Sequence, residues 1–379
     1  MKTVDVILTS RCDLKCGYCF QDDKKAKSME WETAQAALDL ALGSSEPRVQ
    51  IVFFGGEPML EFDTIRRAVD YLKARRKPTQ RVQLSLLTNG MSMTSEAIEF
   101  LSSNAFDVQL SFDGVPQMQI FRGKGTHRVL DALLDEMRER AGPWYEDHVS
   151  IAMTLVPRTI PWFADSVEYF LAKDVPELGV SAKVTPDPYF KPEMIEDLRA
   201  QFRRVFRASV RHYARTGRVP LVAFRKSGRA RRVPRPKRIT MCGVMRGERL
   251  AVDVDGQTNG CLMFAESYQS FPSPGLRERL APLRLGDVRT PEVSQRLPMF
   301  PDAVRAAGLF HDKQSKRSTY GKCAECRYLA RCSLCPMSIG YANGGSDLTT
   351  VPDFLCAYNL VSLSYRDRFP LSRPPWEGQ

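Results

Sequence analysis

The first 216 residues alternate short β-branched runs with longer amphipathic stretches, and this alternation limits the possible folds more than any other feature. Strands that alternate with stretches of ten or more residues at helical spacing are typical of βα units on a parallel sheet. Six units are predicted. The predicted strands are Thr3–Thr9, Val49–Phe54, Val82–Leu87, Val108–Phe112, Val149–Leu155 and Leu178–Val184.

Polar motifs follow the first four predicted strands. In a parallel βα barrel, functional groups lie at the carboxyl ends of the strands, on the loops that lead into the helices. The sequence therefore predicts one functional rim. The motifs are the loop Thr9–Phe20, the tetrapeptide Gly55-Gly56-Glu57-Pro58, the tripeptide Thr88-Asn89-Gly90 and the tetrapeptide Ser111-Phe112-Asp113-Gly114.

The loop after the first strand contains Cys12, Cys16 and Cys19 at CxxxCxxC spacing. Cubane iron–sulfur clusters are normally held by four thiolates, so three thiolates leave one iron with open coordination. The alternative is a structural zinc loop. Zinc prefers paired Cys or His residues that complete a tetrahedron, and no further Cys or His follows Cys19 closely. An iron–sulfur cluster is therefore the favoured interpretation.

This spacing, with an aromatic residue before the third cysteine, resembles the radical S-adenosylmethionine (SAM) enzymes, in which SAM chelates the fourth iron. The segment from Gly55 to Pro58 resembles their glycine-rich SAM-binding loop. Adjacent glycines allow close backbone approach to a ligand, and a carboxylate can bind its ammonium group. The resemblance implies SAM contacts from Gly55, Gly56, Glu57, Pro58, Asn89, Ser111 and Asp113. Asn89, Ser111 and Asp113 could each equally cap a helix or make a turn.

The seven remaining cysteines resemble the SPASM extension of radical SAM proteins, which holds two auxiliary [4Fe–4S] clusters. By this resemblance one cluster takes Cys242, Cys261 and Cys335, and the other takes Cys323, Cys326, Cys332 and Cys356. The last spacing in the CxxC array is two residues, whereas the family more often has three. A zinc ribbon is the alternative for the CxxC pairs alone. The implied fold is α/β, a partial (β/α)6 TIM-like barrel with a C-terminal Cys-rich SPASM extension and three [4Fe–4S] clusters.

The net charge of +11 is concentrated in the segment Arg225–Arg238, which contains eight Lys or Arg residues and no acid. Such a segment could bind an acidic peptide or nucleic acid, or be a solvated loop; nucleic acid is not favoured.

No apolar run reaches the roughly 18 residues of a membrane span, and the N-terminus lacks a signal-peptide core. Clustered cysteines fit metal ligation in a reducing cytoplasm.

Four regions are predicted along the chain. They are a radical SAM partial barrel at 1–216, a basic linker at 217–239, a SPASM domain at 240–364 and a Pro-rich tail at 365–379. Because the first strand begins at residue 3, we expect no leader-binding domain at that end. A separate leader-binding protein, the SPASM surface or the basic segment would then bind a leader peptide.

The resemblance implies an oxidoreductase that cleaves SAM to a 5′-deoxyadenosyl radical and modifies a precursor peptide, forming an intrapeptide cyclophane or thioether crosslink. Flavodoxin or ferredoxin would supply electrons. Sulfatase maturases have an aspartate base where this chain has Leu262. Formylglycine formation is therefore less favoured and is the alternative. Asp253 and Asp255 are the candidate bases. A dehydrogenase of a small substrate, which usually has one auxiliary cluster, and a nucleic-acid-binding zinc protein are further alternatives.

Overall fold

A computed structural model describes residues 1–21, 26–225, 247–268, 278, 281–306, 313–345 and 347–370. Cys242 and residues 226–238 of the basic segment lie outside the described residues. The described strands are β1 Thr3–Thr9, β2 Arg48–Gly55, β3 Arg81–Thr88, β4 Asp107–Ser111, β5 Val149–Leu155, β6 Leu178–Ala182, β7 Arg249–Val252, β8 Gln257–Asn259, β9 Arg284–Asp287, β10 Arg317–Ser318 and β11 Gly321–Lys322. The described helices are α1 Trp31–Leu42, α2 Phe62–Arg75, α3 Ser95–Ser103, α4 Pro116–Gln119, α5 Thr126–His148, α6 Phe163–Ala172, α7 Ile195–Thr216, α8 Glu292–Arg296, α9 Phe300–Ala306, α10 Pro336–Ala342 and α11 Asp353–Arg368.

The described residues form two compact units that interleave along the chain. The first unit comprises the described residues of Met1–Ser111, Val129–Val149 and Met241–Leu309, and the second comprises those of Phe112–Arg128, Ser150–Thr240 and Phe310–Gln379. The four regions predicted from the sequence, by contrast, follow one another along the chain without interleaving. No helix among the described residues is long and apolar enough to cross a membrane.

All six predicted strands are present. β1 and β5 have the predicted bounds, while β4 ends one residue earlier than predicted and β6 ends two residues earlier. β6 stops at Ala182 because its parallel partner β5 ends at Leu155, opposite that residue. Val184 therefore has no partner in the β5–β6 ladder.

The first unit contains seven strands in the order β4-β3-β2-β1-β7-β8-β9. The strands β1 to β4 and β7 run parallel, whereas β8 and β9 are antiparallel additions. β1 lies between β2 and β7, and its side chains from Val4 to Thr9 are all buried. The pairing of β7 with β1 was not predicted from the sequence.

A buried ion pair joins β7 to β1. The Asp5 carboxylate is 0% exposed and accepts hydrogen bonds from Nε and Nη2 of Arg249, the latter at 2.7 Å. Burial raises the pKa of Asp5, and the guanidinium opposes that shift. Removing Arg249, whose side chain is 39% exposed, would leave a buried carboxylate without its cation and should destabilise the fold.

α2 of the first unit buries an apolar stripe. Ile65, Ala68, Val69 and Leu72 lie at helical spacing and are all buried. α5 is interrupted at Ala141 (φ −143°, ψ 49°), two residues before Pro143. Proline has no amide hydrogen for the helix interior, so the break places it near the start of a new helical segment.

In the second unit, α7 packs against α6 and α11, and β5 pairs in parallel with β6. Tyr365 of α11 stacks on Phe202 of α7 at 6.1 Å between ring centroids, and Phe369 stacks on Phe224 at 5.1 Å. α11 continues to Arg368, so its last four residues lie in the region predicted as the Pro-rich tail.

Candidate cluster-binding sites

The N-terminal cysteine loop, residues 10–20, follows β1 in the first unit. Cys12, Cys16 and Cys19 are all partly exposed. The backbone N–H of Cys19 donates to the carbonyl of Cys16 at 3.1 Å. The loop thus presents three thiols from one short segment without regular secondary structure.

Gly55 and Gly56 hold this loop against the end of β2. The amide of Gly56 donates to the Thr9 carbonyl, and the amide of Glu57 donates to the Arg11 carbonyl, both at 2.8 Å. A Cβ atom on Gly55 would lie 2.4 Å from the Thr9 oxygen, and one on Gly56 would lie 2.1 Å from the Arg11 oxygen. Only glycine permits this approach, so the pair positions the cysteine loop in addition to its predicted SAM contacts.

Glu57 links the ends of two neighbouring strands. Its carboxylate is 0% exposed. Oε1 accepts hydrogen bonds from Thr88 Oγ1 at 2.6 Å and from the Met59 amide at 3.0 Å, and Oε2 accepts from the Asn89 amide at 2.7 Å. A carboxylate offers about four acceptor positions, so three are used inside the protein. This role of Glu57 in positioning Thr88 and Asn89 was not predicted from the sequence. Contact of Glu57 with a ligand ammonium stays a prediction.

Burial of Glu57 predicts a pH-dependent stability. It raises the pKa of the carboxyl from 4.5 to about 7. Since the folded state holds the proton more tightly, the contribution of Glu57 to the unfolding free energy is complete below about pH 4.5 and is lost as the pH rises to about 7. At ~1.36 kcal/mol per pKa unit, wild type should lose roughly 3 kcal/mol relative to Glu57→Gln over this interval.

Urea unfolding of both proteins from about pH 4.5 to about pH 8 measures this difference. The control is Glu96→Gln, which removes a carboxylate whose side chain is 69% exposed and should not alter the pH dependence. A stability difference between wild type and Glu57→Gln that does not change with pH would contradict the prediction.

Asp13 ties the cysteine loop to the segment after β3. Its Oδ1 accepts a hydrogen bond from Asn89 Nδ2 at 2.6 Å, and its Oδ2 accepts one from Ser92 Oγ at 3.0 Å. The same Asn89 nitrogen lies 3.8 Å from Cys12 Sγ. The structure thus brings the predicted residue Asn89 to the cysteine loop. Asp13 and Ser92 were not predicted, because nothing in the local sequence distinguishes them from ordinary loop residues.

The other predicted SAM contacts lie at strand ends. Pro58 is buried and begins a short 3-10 helix, Pro58–Glu61, after β2. Ser111 is the last residue of β4 and is partly buried. Their contacts with SAM stay predictions.

Asp113 lies in the second unit and is 1% exposed. Its Oδ1 accepts hydrogen bonds from Arg122 Nη2 at 2.9 Å and from the Thr154 amide at 2.8 Å. The backbone N–H of Asp113 donates to Gln119 Oε1 at 2.8 Å. These contacts give Asp113 a structural role within its unit, while its predicted contact with SAM stays untested.

Four of the described cysteines of the second unit line one cavity of about 430 Å³. We call it the four-cysteine cavity, and its cysteines are Cys323, Cys326, Cys332 and Cys356. They are the same four that the sequence analysis assigned to one auxiliary cluster. The structure therefore brings together residues that are up to 33 positions apart (356 − 323).

The remaining SPASM cysteines are distributed differently. Cys335 precedes α10 and lines a separate cavity of about 220 Å³ with Val180 and Tyr358. Cys261 belongs to the first unit, and Cys242 lies outside the described residues. The assignment of these three cysteines to one cluster stays a prediction.

The chemistry of the four-cysteine cavity fits a polynuclear cluster. Burial and nearby thiolates raise the pKa of Cys332 to about 12 and that of Cys356 to about 11, so ionised thiols here need a positive partner. In a cubane each cysteine binds a different iron, so that the four thiolates surround a cavity, as these four cysteines do.

The candidate bases lie on the turn between β7 and β8. Asp253 is 2% exposed and accepts hydrogen bonds from Ser267 Oγ at 2.7 Å and from the Val254 amide at 2.8 Å. Burial raises the pKa of Asp253. Asp255 is exposed and accepts from the Gln257 amide at 3.0 Å. The hydrogen bonds of both carboxylates described here lie within the first unit and shape this turn and its neighbours.

A family described as the Radical SAM superfamily matches residues 6–170. Uncharacterized protein MJ0907 of Methanocaldococcus jannaschii is 28% identical over 47% of this chain and 62% of its own length. Radical SAM cyclopropyl synthase TigE of Paramaledivibacter caminithermalis is 22% identical over 52% of this chain and 44% of its own length. The chain thus spans less than two thirds of each of these relatives.

Solved structures resemble a larger part of the chain. Native anSMEcpe with bound AdoMet has a TM-score of 0.67 at 18% identity and covers 97% of both chains. Streptococcus suis SuiB bound to S-adenosylmethionine has a TM-score of 0.57 at 15% identity, covering 93% of this chain and 76% of SuiB. This likeness, together with the parallel strands and the Cys-rich C-terminal region, confirms the predicted fold class.

Proposed function

We propose that this chain, whose residues 6–170 match the Radical SAM superfamily, is a SAM-cleaving oxidoreductase that modifies a ribosomally made precursor peptide. The observation that carries the proposal is the attachment of the cysteine loop to the glycine pair. The amides of Gly56 and Glu57 donate to the carbonyls of Thr9 and Arg11, and these bonds hold the start of the segment that carries the three thiols. Supporting relatives include TigE and the sulfatase-maturating enzymes.

Cys12, Cys16 and Cys19 would bind three irons of a [4Fe–4S] cluster. When bound, this cluster and SAM supply the reductive cleavage that gives methionine and a 5′-deoxyadenosyl radical, which removes a hydrogen atom from a substrate carbon. The protein supplies position and exclusion of solvent. Glu57 orients the Asn89 backbone. The side-chain nitrogen Nδ2 of Asn89, 3.8 Å from Cys12 Sγ, would donate toward the cluster edge.

A peptide is the favoured substrate class. SuiB, which shares the fold, has been solved bound to its precursor peptide SuiA. Leu262, at the position of the sulfatase-maturase aspartate, packs against the apolar pair Ile7 and Ala265. A carboxylate base is therefore absent from that position. This disfavours formylglycine formation and favours an intrapeptide crosslink of the cyclophane or thioether type.

The remaining elements follow from the same proposal. Two auxiliary [4Fe–4S] clusters would be held by the SPASM cysteines, with the four-cysteine cavity as one site. Asp253 and Asp255 stay the candidate bases, tested by replacement with Asn. Flavodoxin or ferredoxin would supply electrons, and a leader-binding partner would present the peptide.

The test is formation of 5′-deoxyadenosine from SAM. Anaerobically reconstituted protein treated with dithionite should produce it, whereas the triple variant Cys12→Ala, Cys16→Ala, Cys19→Ala should produce none and should lose about one third of its iron, one cluster of three. Unchanged iron in the triple variant, or no 5′-deoxyadenosine from wild type, would contradict the proposal. A short reading frame beside the gene, when co-expressed, provides the peptide for detecting a crosslink by its mass loss.

A further inference from the structure

Two lysines are buried beside the four-cysteine cavity. Lys316 is 1% exposed and Lys313 is 6% exposed. Lys316 Nζ donates to the Leu348 carbonyl at 2.7 Å, and Lys313 Nζ donates to the Cys332 carbonyl at 2.7 Å. Both ammonium groups therefore lie inside the unit that contains the cavity.

A buried ammonium group is costly unless negative charge lies near it. No carboxylate lies within ion-pair distance of Lys316 among the described residues, and the 2.7 Å bond to the Leu348 carbonyl is its hydrogen bond. The negative groups that act on it electrostatically are Cys323, Asp347 and Cys335. The positive charge of Lys313 opposes the rise in the pKa of Cys332. Thiolates are thus prominent among the anionic partners of the two lysines.

The backbone holds Lys316 in this position. The Cys323 amide donates to the Lys316 carbonyl at 3.0 Å, and the Lys316 amide donates to the Lys313 carbonyl at 3.3 Å. The next residue, Arg317, pairs its backbone with Thr349 and Val351. The backbone of Lys316 is consequently fixed beside that of Cys323.

We propose that Lys316, assisted by Lys313, raises the reduction potential of the cluster held by Cys323, Cys326, Cys332 and Cys356. The inference rests on the auxiliary cluster proposed above. A cluster with four thiolates is an anion whose negative charge grows when it is reduced, and net charge is one of the properties that set its potential. A fixed buried cation stabilises the reduced form more than the oxidised form, because the interaction is little screened by water.

The redox step is the uptake of one electron by the cluster. No bond forms or breaks in this step. In turnover the electron would come from the substrate radical, and in the experiment it comes from dithionite. Lys316 is a positioning residue in this scheme, since it acts on the cluster and not on the substrate.

The test is a redox titration monitored by electron paramagnetic resonance. The full-length triple variant Cys12→Ala, Cys16→Ala, Cys19→Ala serves as the parent, since it lacks the N-terminal cluster signal. Adding Lys316→Met should make one auxiliary midpoint potential more negative by at least about 59 mV. This shift corresponds to a tenfold change in the equilibrium constant of a one-electron reduction. Lys316→Arg should keep the parent potential. The exposed Lys124 of the same unit, which does not line the four-cysteine cavity, provides the control Lys124→Met, with no shift.

The outcomes separate the two proposals. No auxiliary signal in the parent would refute the auxiliary clusters themselves. A parent signal whose potential is unchanged by Lys316→Met would overturn the role of Lys316 alone. Lys313→Met is the second variant and should shift the potential in the same direction. Loss of the cluster from both Lys→Met variants would assign the lysines to assembly and also overturn the inference.

Discussion

Replacing Gly56 by alanine is expected to lower 5′-deoxyadenosine formation by roughly 100-fold, the loss that a misplacement of about 1 Å can cause. The added Cβ would lie 2.1 Å from the Arg11 oxygen and 2.9 Å from the Ser10 oxygen. Both are backbone atoms that cannot rotate away, so the cysteine loop must move. The N-terminal cluster should be lost or weakly bound, whereas iron in the four-cysteine cavity should remain.

Gly142→Ala is the matched control, because a Cβ at Gly142 meets nothing within 4 Å. Iron content and 5′-deoxyadenosine formation are measured for both variants after identical anaerobic reconstitution. Wild-type values for Gly56→Ala would show that the close contact between the glycine pair and the cysteine loop is not needed.

Replacing Cys326 by alanine is expected to separate SAM cleavage from peptide modification. The variant should lose about one third of the iron, one cluster of three, and should keep 5′-deoxyadenosine formation. Crosslinked peptide should fall by roughly 100-fold or more, because the electron of the substrate radical no longer has its acceptor cluster. The same pattern is expected for Cys332→Ala, which lines the same cavity.

Ser333→Ala is the control, since Ser333 is exposed and adjoins Cys332 without lining the four-cysteine cavity. Iron analysis, 5′-deoxyadenosine quantification and peptide mass spectrometry are applied to each protein. Full crosslinking by Cys326→Ala would show that the four-cysteine cavity is not required for product formation.

Local patterns predicted the six strands of the βα units. Their β-branched runs coincide with buried strands because side chains of a parallel sheet are covered on both faces. β7 was missed for a physical reason: its four residues, Arg249 to Val252, are too few to form a pattern. Its position is determined by pairing with β1, about 246 residues earlier in the sequence, and no local signal reports such a partner.

In the candidate site, too, some features were predicted from the sequence and others depend on tertiary contacts. The resemblance to the SPASM extension implied the grouping of four cysteines that line one cavity, whereas spacing alone would have grouped Cys332 with Cys335. The hydrogen bonds of Glu57 were not predictable, since their donors Thr88 and Asn89 belong to the next strand. Lys313 and Lys316 lie in a polar segment that resembles a solvated loop, and their buried Nζ atoms donate to the distant backbone carbonyls of Leu329 and Leu348.

The parallel pairing of β1 with β7 has a consequence for how the chain is made. The first strand leaves the ribosome early, but one of its neighbours, Arg249–Val252, is synthesised about 240 residues later. At ~5–20 residues per second this leaves one edge of the nascent sheet unpaired for tens of seconds. An exposed strand edge can pair with other chains. Production at lower temperature or with added chaperone should therefore increase the yield of full-length protein, and a fragment ending before residue 249 should aggregate.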